Sequence, residues 1–314
     1  MRKLIGTAAL ALAASAMVAT PVLAQEQKKS NTRQVLGRLL DTVLGPEEKE
    51  EAAAEAAATE GQQLGSLQQV LADDRRDEDR ARDKYRHPAE TLAFFQVEPG
   101  MTVAEYGPGG GWYTRVLAPY IAPEGRYVAL TGDTEMRTFR DADQEAEARA
   151  WPSTFPAAAA ETTGVAADRI SAFETDEVPE ALAGSIDRVL IFRSMHGLWN
   201  ANMADSELKN IHSMLADDGM VGVVQHRAPA NASYADVNPA RGYMRQSDVI
   251  KLFELHGFEL VGSSEINANP KDPANWEGGV WTLPPVLRYG EANRDAYLAI
   301  GESDRMTLLF KKAD

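Results

Sequence analysis

Short apolar runs alternate with amphipathic segments from Pro99 to the end of the chain. Apolar, β-branched runs predict seven strands, at 102–106, 125–132, 168–173, 185–192, 220–226, 258–265 and 305–312. Helical spacing or polarity predicts helices between them, at 113–121, 135–151, 206–219 and 247–257. We expect Ser247 to cap the last of these helices and Gly257 to end it. Such repeated units indicate an α/β fold with a mostly parallel sheet covered by helices on both faces.

Two polar segments interrupt this pattern. The stretch 73–86 contains six acidic and six basic residues, which is typical of a solvated helix with charge pairs at i,i+4. Between the last two strands lies a segment rich in Asn, Pro and Gly that also carries Trp276 and Trp281. A long irregular loop in a compact domain is usually functional or disordered, and the tryptophans argue against disorder. We therefore interpret it as a flap over a pocket or as a cap on the sheet.

The first 72 residues differ from the rest of the chain. Residues 1–24 combine Arg2 and Lys3, an apolar stretch and a small residue, Ala24, which predicts a secretory signal peptide cleaved after Ala24. Residues 25–72 contain an Ala/Glu-rich linker and an amphipathic helix over 34–44. We expect the apolar face of this helix to dock on the same chain, and a partner or a membrane surface are the alternatives. The main domain is predicted to span 73–314. A periplasmic location reached by Sec export follows from this interpretation.

Composition narrows the classes of function. The formal net charge is −15, which disfavours nucleic acid and anionic lipid as partners. The chain has no cysteine, so disulfides, thiolate metal sites and a cysteine nucleophile are excluded. Apart from the signal segment, no stretch is long and apolar enough to be predicted as a membrane span.

The strongest motif is the segment "TVAEYGPGGGWYTRVLAPYIA", residues 102–122. It predicts a strand, a glycine turn with Gly107, Gly109 and Gly111, and a helix, an arrangement that brings backbone N–H groups close to a nucleotide-like ligand. Glu105 precedes the turn, and its negative charge would repel the pyrophosphate that a dinucleotide motif receives. A cationic or hydroxyl-rich ligand fits this motif better.

The same segment resembles the first motif of class I S-adenosylmethionine-dependent methyltransferases, and "GPGGGWYT" is closest to a group of predicted exported bacterial members. The resemblance implies a Rossmann-like sheet of seven strands with an antiparallel C-terminal edge. It also implies S-adenosylmethionine as the cofactor, with its amino-acid part beside the glycine turn and Glu105. Tyr113 then lies at the cofactor, and Trp112 belongs either to the cofactor site or to the core. Tyr85, Arg86 and His87 lie in a segment that often closes over the cofactor in this family.

The resemblance also assigns the ends of the second and third strands. Family members place a ribose-binding acid at the end of the second strand, where this chain has Thr131. Either Asp133 or Glu135 takes the ribose from a shifted loop, or that contact is missing, and a simple turn role is the alternative for Asp133. Glu174 corresponds to the acid near the adenine amino group, and Asp176 is the second candidate.

Polar residues follow the fourth and fifth strands, where ligands bind in open α/β sheets. Arg193, Ser194 and His196 follow the fourth strand, and His196 is the candidate catalytic base, with Arg193 beside it. Gln225, His226 and Arg227 end the fifth strand. A metal site at His196 and His226 is disfavoured because no suitably spaced third ligand accompanies them.

The resemblance, together with the order of the predicted strands, implies a methyltransferase that acts on a small-molecule acceptor by in-line transfer from S-adenosylmethionine. The alternative is an exported, non-catalytic binding protein of the same fold for a nucleoside-like or cationic ligand. The altered end of the second strand supports that alternative, as does the predicted export, because the cofactor is made in the cytoplasm. A third interpretation is an interaction protein that works through the helix at 34–44. The sequence does not indicate the acceptor.

Overall fold

A computed structural model describes residues 66–233 and 237–313. The predicted signal peptide, its cleavage site and the predicted helix at 34–44 lie outside the described residues, and those predictions stand untested. The first described residues, 66–72, are helical, and Leu67 among them is buried. Within the described ranges, no helix combines the length and the apolar character that crossing a membrane requires.

The strands form one sheet of seven. Their bounds are β1 Thr102–Tyr106, β2 Arg126–Thr131, β3 Ile170–Glu174, β4 Ile186–Phe192, β5 Leu215–His226, β6 Phe258–Ser264 and β7 Arg305–Lys312. Their order across the sheet is β3-β2-β1-β4-β5-β7-β6. The first five strands run parallel, and β7 runs antiparallel to both β5 and β6. This confirms the predicted α/β fold, with its mostly parallel sheet and antiparallel C-terminal edge.

Helices cover both faces of this sheet. Their bounds are α1 Asp77–Arg80, α2 Asp83–Arg86, α3 Pro88–Phe94, α4 Thr114–Ile121, α5 Ala142–Thr163, α6 Met195–Asn200, α7 Ala204–Met214, α8 Gln246–Leu255 and α9 Arg294–Ile300. Helices α6, α7 and α8 pack apolar side chains on one face, and α3, α4 and α5 pack theirs on the other. Burial of these two apolar layers is the main source of stability in such a fold.

Some predicted boundaries were wrong. The helix predicted at 135–151 begins at Ala142 and runs to Thr163, because the side chain of Asp141 caps it by accepting from the Gln144 N–H at 2.9 Å. Ser247 is not a cap: α8 begins one residue earlier, after Arg245, and the Ser247 hydroxyl bonds to Asp248. The interpretation of the loop between the last strands was also incomplete, because that segment contains α9 and a 3₁₀ turn, Gly279–Thr282.

The prediction of a solvated charged helix at 73–86 was wrong as well. The segment folds into three short helical pieces, Asp74–Arg76, α1 and α2. Arg76, Asp79 and Arg86 within it are buried. The Asp79 carboxylate accepts hydrogen bonds from the guanidinium of Arg115 on α4 at 2.6 and 2.8 Å. Ion pairs with Arg115 and Glu302 accompany local pairs at other spacings, and no i,i+4 ion pair forms within this described segment.

Candidate functional site

The site lies at the carboxyl edge of the sheet, where β1 and β4 are neighbours. Strands β2 and β3 lie on one side of β1, and β4 and β5 lie on the other, so the strand order reverses between β1 and β4. Crevices at such a point bind ligands in open α/β sheets. The glycine turn follows β1 here, and Arg193 follows β4.

The glycine turn takes a shape that other residues adopt only with strain. Gly107, Gly109 and Gly111 have φ angles of +61°, +56° and +73°, in the left-handed region that favours glycine. A Cβ at Gly107 would lie 3.1 Å from the Ser194 hydroxyl oxygen, whereas one at Gly109 would meet only the Gly107 carbonyl oxygen at 3.9 Å. The space beside Gly109 is therefore open, so a ligand could approach the backbone closely there.

Glu105 is buried immediately before this turn. Its Oε2 accepts hydrogen bonds from the Thr114 hydroxyl at 2.8 Å and from the Tyr127 hydroxyl at 2.7 Å. Burial raises the pKa of Glu105 to about 7, against the opposing effect of these two hydrogen bonds and of the positive charges of Arg193 and Arg115. Its charge therefore changes near neutral pH, and a cationic ligand group nearby would favour the ionised form.

The two aromatic residues after the turn pack inside the protein. Tyr113 stacks on Phe192, with ring centroids 3.5 Å apart, and its hydroxyl donates to the Arg86 carbonyl oxygen at 3.3 Å. The Trp112 ring packs with the Arg86 guanidinium 4.5 Å from its centroid, and its indole N–H donates to the Asp79 carbonyl oxygen at 3.4 Å. Trp112 is thus in contact with the segment that precedes β1. A contact between Tyr113 and the cofactor stays a prediction.

Acidic side chains gather at the ends of β2 and β3. Carboxylate oxygens of Asp133, Glu174 and Asp176 lie within 4.8 Å of one another. Burial raises the pKa of Asp176, and the negative charges of Asp133 and Glu174 raise it further. Glu174 is already engaged, because Thr134 donates to both of its oxygens, at 2.7 and 2.9 Å. Asp133 and Asp176 are therefore the freer acceptors at this end of the crevice, while Glu135 pairs with Arg149.

Glu207 on α7 is a buried acid beneath the same strand ends, and sequence analysis missed it. It accepts from the Asp133 backbone N–H at 3.0 Å and from the Thr175 hydroxyl at 2.7 Å, so it fixes the loop that carries Asp133. The apolar spacing of Leu208 and Ile211 could have signalled it, because Glu207 lies four residues before Ile211 on the buried side of α7.

Arg193 occupies an unusual backbone conformation at the end of β4. Its φ is +59°, which is uncommon and costly for a residue with a side chain. The backbone N–H donates to the Val224 carbonyl oxygen of β5 at 2.7 Å, which holds the residue at the sheet edge. Burial lowers the pKa of Arg193 to about 10, and the charge of Arg305 lowers it further. At neutral pH the guanidinium is still charged.

His196, the candidate base, contacts Gln225 on β5. Gln225 Nε2 lies 3.3 Å from His196 Nδ1 and donates to the Gly242 carbonyl oxygen at 2.8 Å. Because this amide nitrogen supplies a hydrogen to each, Nδ1 of His196 accepts and Nε2 carries the ring proton. In this tautomer His196 is a hydrogen-bond donor at Nε2. A role as base at Nε2 requires the Gln225 amide to turn, so that its oxygen, which has no partner among the described residues, accepts from Nδ1.

The other polar residues at the end of β5 have partners inside the protein. His226 Nδ1 lies 2.6 Å from the Ser303 hydroxyl oxygen, and burial holds the pKa of His226 well below its usual value. Arg227 pairs with Asp304 at 2.8 Å and Glu265 at 2.7 Å. The rings of His196 and His226 have centroids 5.8 Å apart, yet no third metal ligand joins them among the residues that the structure describes.

The similarity between this chain and known proteins is distant. No family model matches the chain, and no curated protein matches it. Among solved structures, the chain is similar to a SAM-dependent methyltransferase from Aquifex aeolicus, at 14% identity over 65% of this chain and 93% of that chain, with a TM-score of 0.42. It is also similar to the 1,6-didemethyltoxoflavin-N1-methyltransferase of Burkholderia thailandensis, at 14% identity over 87% and 92% of the two chains and a TM-score of 0.43. A third similar structure is that of the [4+2]-cyclase SpnF, at 15% identity over 73% of this chain and 80% of that chain, with a TM-score of 0.45. Likenesses this distant carry no argument about function, which must come from the site.

Proposed function

We propose that this chain is an S-adenosylmethionine-dependent methyltransferase that acts on a small-molecule acceptor. The observation that carries the proposal is the glycine turn, with three left-handed glycines, open space beside Gly109 and the buried carboxyl of Glu105 just before it. The turn leaves room for a ligand beside the backbone, and Glu105 supplies a negative charge that suits the cofactor's ammonium group and repels phosphate.

The residues that would hold the cofactor extend along the edge of the sheet. Gly107, Gly109 and Glu105 would receive its amino-acid part. Asp133 at the end of β2 is the candidate for the ribose hydroxyls, since its loop is fixed by Glu207. Glu174 and Asp176 would lie toward the adenine. When bound, S-adenosylmethionine supplies a methyl group on a sulfonium, which is an electrophile that needs no further activation.

The protein's own contribution would then be to position the acceptor and exclude water. Arg193 and His196 follow β4, and the rings of His196 and Trp281 have centroids 5.9 Å apart. These three residues would form the acceptor side of the site. His196 would donate a hydrogen bond from Nε2 to the acceptor in the tautomer described above. For an acceptor that must lose a proton, His196 would take it at Nε2 after the amide of Gln225 has turned.

One observation favours the alternative of binding without transfer. The end of β2 carries Thr131 where the family has an acid, and both oxygens of Glu174 are occupied by Thr134. A site that has lost these two contacts would hold the adenosine of S-adenosylmethionine less tightly, whereas the glycine turn and Glu105 would still suit another ligand. This second candidate is a binding protein for a nucleoside-like or cationic ligand, and predicted export to the periplasm, itself still a proposal, would fit it.

Calorimetric titration of the full chain tests the proposal, with S-adenosylmethionine, S-adenosylhomocysteine and NAD⁺ as ligands. We expect both adenosylated amino acids to bind and NAD⁺ not to, because Glu105 disfavours a pyrophosphate. No binding of either up to millimolar concentration would refute the proposal. Binding of both without formation of S-adenosylhomocysteine over a broad panel of small-molecule acceptors would favour the binding protein.

A further inference from the structure

Three arginines converge on a single buried carboxylate beside the crevice. Glu302, just before β7, accepts from Arg82 Nε at 2.6 Å, from Arg86 Nε at 3.1 Å and from Arg305 Nη2. The Glu302 side chain is 1% exposed. One negative charge therefore faces three positive charges inside the protein, which is costly unless a further anion is present.

Arg193 adds a fourth positive charge that forms no ion pair among the described residues, although the carboxyls of Glu105 and Glu302 lie close enough to interact with it. Its guanidinium makes no hydrogen bond and no ion pair with another residue of the described ranges, and the residue as a whole is half-buried. Arg305 and Arg82 lie close enough to lower its pKa, while Glu302 raises it. The arginine cluster, defined as Arg82, Arg86, Arg193 and Arg305, is notable in a chain whose net charge is −15.

Two donors of the cluster lack partners. Arg86 Nη1 and Arg305 Nε are buried and bond to no other atom of the described residues. Buried donors without an acceptor cost free energy, so proteins rarely retain them where no acceptor is ever supplied. These donors and the free guanidinium of Arg193 are independent observations, and both point to an anionic ligand.

The cluster lies on the acceptor side of the crevice. Arg193 follows β4. Arg305 is the first residue of β7 and lies opposite His226, the last residue of β5, in the register of the sheet. The acidic side chains that would take the adenosine lie instead beyond β1, at the ends of β2 and β3. The amino-acid end of S-adenosylmethionine carries an ammonium and a carboxylate, and its sulfonium adds a positive charge. The net charge of the cofactor is therefore positive and does not balance the four arginines, although its carboxylate is the rival anion for the contact with Arg193.

We infer that the arginine cluster binds an anionic group, a carboxylate or a phosphate, of the methyl acceptor, with Arg193 as the residue that contacts it. The inference rests on the proposed function for the identity of the ligand as an acceptor. The planar guanidinium suits both anions, because each can accept two parallel N–H bonds. Arg82, Arg86 and Arg305 hold Glu302 and set the positive potential around that contact.

Titration with two probes tests this inference: inorganic phosphate and benzoate, each added to the full chain saturated with S-adenosylhomocysteine. We expect at least one probe to bind, and the tighter of the two identifies the kind of anion. Arg193→Gln should weaken that binding by about tenfold or more, since it removes a charge-assisted bidentate contact. Arg140→Gln, which removes an exposed arginine that pairs with Asp141 on the surface, should leave it unchanged.

The affinity of Arg193→Gln for S-adenosylhomocysteine shows whether the variant is folded and separates the outcomes. Unchanged cofactor affinity together with weakened probe binding supports the inference. Failure of both probes to bind, or equal binding by Arg193→Gln, would overturn it. A third outcome would also overturn the inference: Arg193→Gln loses affinity for S-adenosylhomocysteine but binds 5′-methylthioadenosine, which lacks the amino acid, as the wild type does. The cluster would then hold the cofactor's carboxylate. Arg193-dependent probe binding by a chain that binds no S-adenosylhomocysteine would leave the anion site standing and remove the proposed function.

Discussion

Glu105 and Tyr127, on the neighbouring parallel strands β1 and β2, share a hydrogen bond of 2.7 Å inside the core. The Tyr127 hydroxyl is also 3.3 Å from the Thr114 hydroxyl, so the three side chains form a small buried network at the start of α4. This network holds a carboxyl group just below the glycine turn, and burial sets its pKa near neutrality.

Replacing Glu105 with Gln should make the protein less sensitive to pH. The pKa of Glu105 rises from 4.5 in the unfolded chain to about 7 in the fold, so folding favours the protonated carboxyl. The contribution of this residue to the free energy of unfolding is therefore fully present below pH 4.5 and is lost as the pH rises to about 7. Relative to the wild type, Glu105→Gln should therefore gain stability across this window, by about 3 kcal/mol in total. Urea denaturation at a series of pH values measures it. Glu124→Gln, at an exposed site, should follow the wild type, and a parallel profile for Glu105→Gln would contradict the burial argument.

Replacing Gly109 with Ala should remove cofactor binding at a small cost in stability. The residue is left-handed, so a Cβ adds strain of about 1 kcal/mol, and it also enters the open space of the cradle. Gly184, with φ +67° and no atom near its Cβ position, carries the same strain at the amino end of β4, on the opposite edge of the sheet. Gly184→Ala should lose similar stability and keep its affinity for S-adenosylhomocysteine in calorimetry. Equal affinities of the two variants would show that the cradle does not receive the ligand.

Replacing Glu302 with Gln should strongly destabilise the fold. The change leaves three buried or half-buried arginines without their shared carboxylate, and breaking such a buried arrangement costs about 3–5 kcal/mol. Glu254→Gln breaks the exposed pair with Lys251 and should cost less than about 1 kcal/mol. Urea unfolding midpoints compare the two variants. If both cost the same, the arginines do not depend on Glu302.

His196 should be neutral at pH 6.5 with its proton on Nε2. Burial lowers its pKa from the usual 6.5, and the positive charge of Arg193 lowers it further, against the opposing effect of the hydrogen bond with Gln225. Nitrogen chemical shifts of the ring, assigned by comparison with His196→Asn, report both charge and tautomer. Gln225→Glu should raise the pKa and move the proton to Nδ1, because a carboxylate can only accept. A ring that is half-protonated at pH 6.5 in the wild type would contradict the described environment.

Local sequence patterns were enough to predict most of the fold. Apolar runs placed all seven strands, because each buried strand is a short β-branched segment with a turn signal after it. The turn at Gly107, Gly109 and Gly111 was predictable because only glycine adopts the left-handed backbone conformation freely. Local patterns failed for residues 73–86, because two arginines of that segment, Arg82 and Arg86, pair with Glu302, which lies more than two hundred residues away.

The acids and arginines around the crevice mark the limit of sequence reasoning about the site. Glu105 and Asp133 could be picked out because Glu105 is the next-to-last residue of β1 and Asp133 comes two residues after the end of β2. Nothing near Glu302 in the sequence signals that it lies beneath three arginines, because that contact depends on how the segment before β1 packs against β7. The same holds for the tautomer of His196, which depends on a hydrogen bond from Gln225 to Gly242.

A crystal structure of the chain with S-adenosylhomocysteine would show whether the crevice at the carboxyl edge of the sheet receives this ligand. We expect the amino-acid part to lie against Gly107 and Gly109 with its ammonium near Glu105, and the adenosine to extend toward Asp133 and Asp176. Ligand bound elsewhere on the protein, or no bound ligand in crystals grown at saturating concentration, would contradict the assignment of this crevice as a methyltransferase cofactor site.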